Sequence, residues 1–197
     1  MMDFVRTFLA RETDLGIRGP RVELKAPREG DFEAWASLRS ASYGELQPFE
    51  PFWAPDDLTR HSFRRRLRRY EREARDDAGY AFFVHHRTEE TLLGGMTLGG
   101  IRRGVAQAAT LGYWMATQHT GKGYMSEAVM ALLAHAFTTL DLHRVEAACL
   151  PENRASMRVL EKAGFEREGF ARSYLKINGR WQDHLLYARV RTVERNA

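Results

Sequence analysis

A short glycine-rich turn is the strongest chemical signal in this sequence. Gln118, Thr120, Gly121, Lys122 and Gly123 follow an apolar, strand-like run and precede a strongly periodic helix. Without a Cβ, glycine adopts backbone dihedrals that are closed to other residues and lets a ligand approach the main chain. The N–H groups at a helix start point at that ligand, and the helix dipole favours a negative charge there. The turn therefore predicts a phosphate-binding site, although it matches neither the dinucleotide fingerprint nor the P-loop.

A proline-rich segment carries a second group of candidate residues. Three prolines interrupt regular structure between residues 43 and 55, so we expect a loop there. Phe49 and Trp53 need a surface to pack on, because exposed loops seldom carry such an apolar patch. Glu50 lies among these rings, and a partly desolvated carboxylate is suited to act as a base. A solvated glutamate in a flexible loop is the open alternative.

The elements that must position these residues follow an α/β pattern. Apolar runs with period two predict strands at residues 22–26, 80–86, 92–101, 108–116, 144–150, 170–177 and 180–190. Helical periodicity predicts helices at residues 31–40, 57–77, 125–140 and 153–163. The strand, helix and strand at residues 108–150 predict a right-handed βαβ crossover, and Asn178-Gly179 predicts a tight hairpin. The expected fold is a mixed sheet of about six or seven strands with helices on both faces.

Size and composition narrow the classes of function. A chain of 197 residues has room for one sizeable core, so we expect an arm at residues 1–20, one domain at 21–191 and a tail at 192–197. The formal charge of +4 suits an anionic ligand without indicating a nucleic-acid binder. The single cysteine, Cys149, excludes an internal disulfide, and its strand-like neighbours favour a buried, inert thiol.

Targeting and metal signals are missing from the sequence. The first fifteen residues carry charges that a signal peptide would not have, and no apolar run is long enough to span a membrane. We therefore expect a cytoplasmic protein that does not bind membranes. The histidines show no ligand spacing with carboxylates or with the cysteine, so no metal is expected.

Several stretches together resemble one enzyme superfamily. The turn Gln118-His119-Thr120-Gly121-Lys122-Gly123 is similar to the pyrophosphate loop of the GNAT superfamily of N-acetyltransferases. The helix that runs from Asn153-Arg154-Ala155-Ser156 to Gly164-Phe165 resembles a second motif of that superfamily. Leu46-Gln47-Pro48-Phe49-Glu50-Pro51 and the last hairpin resemble Rim-type enzymes, which acetylate N-termini of ribosomal proteins, and most closely the RimJ-type alanine acetyltransferases. The chain is thus identified as a GNAT member, with the mostly antiparallel sheet of that fold.

The resemblance implies that acetyl-CoA is the cosubstrate and that an amine attacks its thioester directly in a ternary complex. The backbone amides of Trp114 and Met115 would polarise the thioester carbonyl. Asn153 would also cap its own helix. The residues that would bind acetyl-CoA are Trp114, Met115, Gln118, Thr120, Gly121, Lys122, Gly123, Tyr124, Ser126 and Asn153.

The resemblance leaves the proton-transfer groups open. Leu160 occupies the position of the usual tyrosine acid, and Leu175 the position of a glutamate base of some relatives. Ser156, where some Rim-type relatives offer a hydroxyl to the thiolate, is the candidate acid, and bonding into the helix backbone is its alternative. Glu50 is the candidate base. An α-amine with a pKa near 8 is already neutral to about one part in ten at pH 7, so a weak base suffices.

The acceptor side has the least defined residues. Side chains alternate along a strand, so only one of Asp183 and His184 can face the cleft. We expect Asp183 to contact the amine, together with Phe49 and Trp53, and His184 to be structural. The favoured acceptor is a ribosomal N-terminal alanine, and a small amine such as an antibiotic, a polyamine or an amino acid is the alternative.

An arginine-rich helix suggests a third function. Arg64-Arg65-Arg66-Leu67-Arg68-Arg69 could contact RNA, either as a non-enzymatic module or as a docking surface of an enzyme that visits ribosomes. A solvated helix face is the plainer alternative, because acidic residues follow the run. The sequence is compatible with a monomer or a homodimer.

Overall fold

The structure is a computed structural model that describes residues 16–192. The described residues form one open sheet in the order β1-β2-β3-β4-β5-β6-β8-β7. Its strands are β1 Ile17–Arg18, β2 Val22–Lys25, β3 Gly79–His86, β4 Leu92–Arg102, β5 Ala108–Met115, β6 Arg144–Cys149, β7 Glu166–Ile177 and β8 Arg180–Val190. The helices are α1 Phe32–Ala41, α2 Tyr43–Leu46, α3 Arg60–Arg75, α4 Tyr124–Thr138 and α5 Arg154–Lys162.

The sheet is mixed and mostly antiparallel, as predicted. Within the described part, β5 and β6 form the parallel pair, and α4 is the crossover between them. The two strands pair only where Ala108, Ala109 and Thr110 face Arg144, Val145 and Glu146. Beyond Thr110 the register ends while both strands continue, so the sheet is split on that side. Parallel strands that separate in this way leave main-chain groups available to a ligand.

Helices cover both faces, which confirms the predicted layers. The larger core packs α4 and α5 on the sheet, with Val129, Leu132 and Leu160 almost fully buried. The smaller core packs α1 and α3 on the other face, where the tilted rings of Trp35 and Phe63 lie 4.8 Å apart, centroid to centroid. Burial of side chains of this size removes each from water at a gain of about 1.5–3 kcal/mol. The two cores hold the split sheet between them.

The predicted loop at residues 43–55 is more ordered than expected. It begins with the helical turn α2 and continues as a 3₁₀ turn, Gln47–Phe49. Pro48 lies in the first turn of that 3₁₀ segment, where its missing N–H costs no hydrogen bond. Prolines at such positions start short helices instead of excluding them, so the loop prediction was wrong for residues 43–49.

Other differences lie at the ends of elements. Strand β1 makes the sheet one strand larger than predicted, because a two-residue strand has no periodicity to detect. It falls within the predicted arm, whose first fifteen residues lie outside the described part, and the domain boundaries stay predictions. Helix α3 begins at Arg60 because the Thr59 side chain caps it by accepting from the Ser62 N–H. Asn178 and Gly179 both have positive φ, as a tight hairpin requires.

Candidate active site

A cavity of about 740 Å³ lies where β5 and β6 separate. Residues 111–115 and 147–150 of the two strands form its walls. The glycine turn and α5 line one side, and the helical turn α2, Phe49 and the β7–β8 hairpin line the other. Because its lining comes from elements on both sides of the split, a cofactor on one side and an acceptor on the other would meet inside it.

The glycine turn, on the side of the cavity where the acetyl donor is expected to bind, has the backbone that the sequence predicts. Gly121 and Gly123 have φ of +74° and +84°, and Gly123 is the N-cap of α4. Asn153 caps α5, its Oδ1 accepting from the Ser156 N–H at 3.0 Å. The predicted cofactor residues that line the cavity are Trp114, Met115, Thr120, Gly121, Gly123, Tyr124, Ser126 and Asn153. Gln118 and Lys122 are exposed and lie outside the lining.

A half-buried ion pair that the sequence did not predict supports this turn. Glu127 on α4 is 7% exposed and accepts from the backbone N–H groups of Arg21 and Val22. The Arg21 guanidinium contacts Glu127 at 3.0 Å, donates to the Lys122 carbonyl at 3.2 Å and lies 4.7 Å from the centre of the Tyr124 ring. No local motif reveals this contact, because Arg21 and Glu127 are 106 residues apart. The β1–β2 connection therefore holds the turn in place.

We expect Arg21→Ala to weaken CoA binding about tenfold. The variant removes one hydrogen bond and one ring contact from the turn, and each contributes about 0.5–1.5 kcal/mol. Calorimetric titration with CoA measures the change. Arg18→Ala is the matched control, because Arg18 pairs with Glu23 and its side chain is 67% exposed. Equal affinity in both variants would show that Arg21 does not position the turn.

The strand register decides which amides of β5 face the cavity. Ala116 donates to the Leu93 carbonyl at 3.0 Å, and bonded and non-bonded pairs alternate along an antiparallel ladder. Trp114, paired with Gly95, therefore turns its N–H toward β4, whereas Met115 turns its N–H toward the split. Of the predicted pair of oxyanion donors, the Trp114 amide therefore belongs to the sheet and the Met115 amide faces the split, where its role stays a prediction.

Ser156 lies in a small polar cluster at the centre of the cavity wall. Its Oγ is 2.8 Å from the Tyr113 hydroxyl, which is also 3.2 Å from the Ser156 carbonyl. Burial raises the pKa of Tyr113, so that hydroxyl stays protonated. Burial also raises the pKa of Cys149 to about 11 despite a hydrogen bond with Ser156. Ser156 thus has a hydroxyl neighbour, which supports the candidate acid, and Cys149 is a protonated, buried thiol.

Glu50 is held in an ion pair instead of facing an amine. Its carboxylate accepts from the Arg39 guanidinium at 2.7 and 2.5 Å and from the Trp53 indole at 2.9 Å. Arg39 lies between two rings, 4.1 Å from Trp53 and 4.9 Å from Trp114. Both carboxylate oxygens of Glu50 are thus engaged, and they anchor the segment that carries Phe49. Glu50 lines the cavity, and its role as a base stays a prediction.

The last strand reverses the predicted choice between Asp183 and His184. Asp183 accepts from the Ser173 N–H at 2.8 Å, where β7 bulges, and does not line the cavity. His184 is 2% exposed and does line it. The bulge in β7 turns the Ser173 N–H toward Asp183, and sequence alternation alone does not reveal bulges. Trp53 likewise lies outside the lining, because its ring packs on Arg39 and Tyr43.

The remaining predictions concern metals, membranes and the arginine-rich helix. Among residues 16–192, no group of three potential ligands could hold a metal ion. In the same part of the chain, no helix combines the length and apolarity of a membrane span. Arg60, Arg64 and Arg65 of α3 are paired with Glu33, Glu29 and Asp56. RNA contact by this helix stays a prediction, as does the oligomeric state.

Comparison with known proteins agrees with the geometry. Residues 21–166 match the model of the acetyltransferase (GNAT) domain. The chain is 38% identical to the probable N-acetyltransferase YjcK of Bacillus subtilis, over 87% of this chain and 95% of that protein. It is 31% identical to the [ribosomal protein uS5]-alanine N-acetyltransferase of Escherichia coli, over 80% and 82%. The structure of Mycobacterium smegmatis RimJ in complex with CoA-disulfide superposes with a TM-score of 0.82 at 34% identity, over 86% of this chain and 81% of that one. A split α/β sheet, a glycine turn on α4 and these matches show that the chain belongs to the GNAT family of N-acetyltransferases.

Proposed function

We propose that this enzyme transfers the acetyl group of acetyl-CoA to the α-amine of the N-terminal alanine of a ribosomal protein in the cytoplasm. The observation that carries the proposal is the cavity, which has the glycine turn on one side of the split sheet and α2, Phe49 and the β7–β8 hairpin on the other. The similar M. smegmatis protein is a complex with CoA-disulfide, which supports the donor. The similar E. coli enzyme acts on the alanine of ribosomal protein uS5, which supports the acceptor.

The donor side is suited to the anionic end of acetyl-CoA. The N-terminus of α4 faces the cavity at Gly121 and Gly123, and Arg158 and Lys162 of α5 add positive charge to the lining. Backbone N–H groups and a helix dipole bind a pyrophosphate there. The pantetheine arm then follows the separated edge of β5, where the Met115 amide polarises the thioester carbonyl.

The reaction is direct attack in a ternary complex. The amine nitrogen adds to the thioester carbon, the C–S bond breaks, and the departing thiolate takes a proton from the Ser156 hydroxyl, which a proton of the attacking nitrogen replaces. The Tyr113 hydroxyl is hydrogen-bonded to Ser156 Oγ at 2.8 Å. The chain thus supplies an oxyanion donor from Met115 and an acid from Ser156.

The acceptor entrance suits the end of a peptide. Phe49 is 39% exposed at its rim, and Glu45 is exposed beside it and bonded to Thr117 at 3.3 Å. A carboxylate at the entrance attracts an ammonium group, and an exposed ring packs against the first residues of the peptide. An open entrance admits a chain terminus that continues into solvent.

Acceptor competition tests the proposed function. The enzyme is incubated with acetyl-CoA and equal amounts of an alanine-initiated ribosomal peptide, the same peptide with a blocked N-terminus and an internal lysine, and spermidine. Mass spectrometry follows the acetylated products. We expect the free alanine peptide to react at least tenfold faster than either competitor, because far more of an α-amine is neutral at pH 7 than of a lysine amine. Preference for spermidine would overturn the ribosomal assignment while leaving the acetyltransferase activity intact.

A further inference from the structure

His184 is a buried imidazole with a place in the acceptor half of the cavity. It lies on β8 directly before Leu185, which pairs with Cys149 at the end of β6. Leu185 belongs to the core beneath α4 and α5, and successive side chains of a strand point to opposite faces. His184 therefore points to the other face of the sheet, where Phe49 and Leu175 line the cavity.

One contact fixes the tautomer of this imidazole. Nδ1 of His184 is 3.0 Å from the carbonyl oxygen of Gln182. A carbonyl only accepts hydrogen bonds, so Nδ1 carries the hydrogen and Nε2 is the nitrogen with the lone pair. A neutral imidazole oriented by a carbonyl in this way is a proton acceptor, and the same carbonyl stabilises the imidazolium that results.

The other titratable groups around His184 are less suited to accept a proton from an amine. On the acceptor side and the cavity wall they are Glu45, Glu50, Tyr113, Cys149 and Tyr174. On the donor side they are His119, Tyr124, Arg158 and Lys162.

Specific contacts exclude most of the acceptor-side groups. Glu50 is paired with Arg39, and Glu45 is exposed at the entrance. Burial keeps Tyr113 and Cys149 protonated. Tyr174 only presents its ring to the imidazole, at a centroid distance of 5.8 Å.

We propose that His184 is the catalytic base that accepts the proton of the acceptor amine. The inference rests on the proposed acetyl transfer and names a proton acceptor other than Glu50, whose two carboxylate oxygens are bonded to Arg39. Nε2 takes one proton from the ammonium group, and the neutral nitrogen attacks the thioester carbon. Ser156 gives its hydroxyl proton to the departing thiolate, so CoA leaves as a thiol, and the second proton of the attacking nitrogen replaces it on Ser156 Oγ. The imidazolium returns its proton to solvent when the product leaves.

The pH dependence of His184→Gln tests this role. Near pH 7 we expect kcat/KM for the alanine peptide to fall about 100-fold. Toward pH 9 the loss should shrink to a few-fold, because an α-amine with a pKa near 8 is then neutral without help from a base. Glutamine can still contact the Gln182 carbonyl, so the strand stays intact. Unchanged thermal stability and CoA affinity would confirm that.

A second variant and a control separate catalysis from folding. His184→Ala leaves a space that added imidazole can fill, and we expect imidazole to restore at least a tenth of the activity. His143→Gln, which changes an exposed histidine outside the cavity, should match the wild-type protein at every pH.

The outcomes are distinguishable from failure of the proposed function. If the wild-type enzyme acetylates neither peptide nor spermidine, the function itself is wrong. If the wild-type enzyme is active while His184→Gln loses the same factor at pH 7 and pH 9, His184 is structural and the proposal is overturned. A pH-dependent loss in Glu45→Gln, with none in His184→Gln, would instead place the base at Glu45.

Discussion

Ser156→Ala is expected to lower kcat about 100-fold and to leave the dissociation constant of CoA within about twofold. A positioned proton donor contributes about 10²–10⁴ to the rate of a step in which a poor leaving group departs. The Ser156 hydroxyl is not needed to cap α5, because Asn153 caps that helix through the backbone N–H of Ser156. Removing it therefore affects the transition state more than the bound cofactor. Steady-state kinetics and calorimetric titration with CoA measure the two quantities.

The hydroxyl of Tyr113, which is hydrogen-bonded to Ser156, provides the matched variant. Tyr113→Phe keeps the ring against the wall and removes the hydroxyl, which lies 2.8 Å from Ser156 Oγ and donates to the Ser156 carbonyl at 3.2 Å, so we expect a loss of about tenfold. Because Tyr113 acts through Ser156, the double variant should be no slower than Ser156→Ala alone. Burial raises the pKa of Tyr113, so its hydroxyl is protonated at any neutral pH and the loss should not vary there. An unchanged kcat in Ser156→Ala would eliminate Ser156 as the acid.

Glu50→Ala is expected to lower the free energy of unfolding by about 2 kcal/mol. The Arg39 side chain is only 11% exposed and would keep its charge without its carboxylate partner. Breaking a buried pair on one side costs about 3–5 kcal/mol, and the 20% exposure of Glu50 reduces that figure. Urea denaturation measures the change. Glu33→Ala is the control, since Glu33 is 79% exposed and its pair with Arg60 should contribute under about 0.5 kcal/mol.

A second substitution of Glu50 tests its role by kinetics. We expect Glu50→Gln to lower kcat/KM about tenfold, and the loss should be the same at every pH from 6 to 9. The reason is that the substitution loosens the segment that carries Phe49. A proton acceptor would instead give a loss that grows as the pH falls. The double variant Arg39→Ala/Glu50→Ala should be less destabilised than the sum of the single variants, because no charge is left unpaired. A loss confined to low pH would support Glu50 as the base.

The local parts of the fold could be predicted because their signals are local. Helix α4 follows two glycines and has an apolar face with helical period, and the Asn178-Gly179 turn needs two residues with positive φ. Both depend on residues adjacent in sequence. The turn at residues 43–49 and strand β1 were missed because one lies beside prolines and the other is two residues long.

By itself, the sequence determined the family, the donor turn and the helix of Asn153 and Ser156, because each is a contiguous motif whose backbone follows from its own residues. Only the tertiary structure decided which partners Glu50 has and which face His184 occupies. Arg39 is eleven residues from Glu50 along the chain, and the bulge in β7 engages Asp183 and leaves His184 to line the cavity. Proton transfer depends on which partner occupies a side chain and which face it points to. Both are set by packing between distant segments, which no local pattern contains.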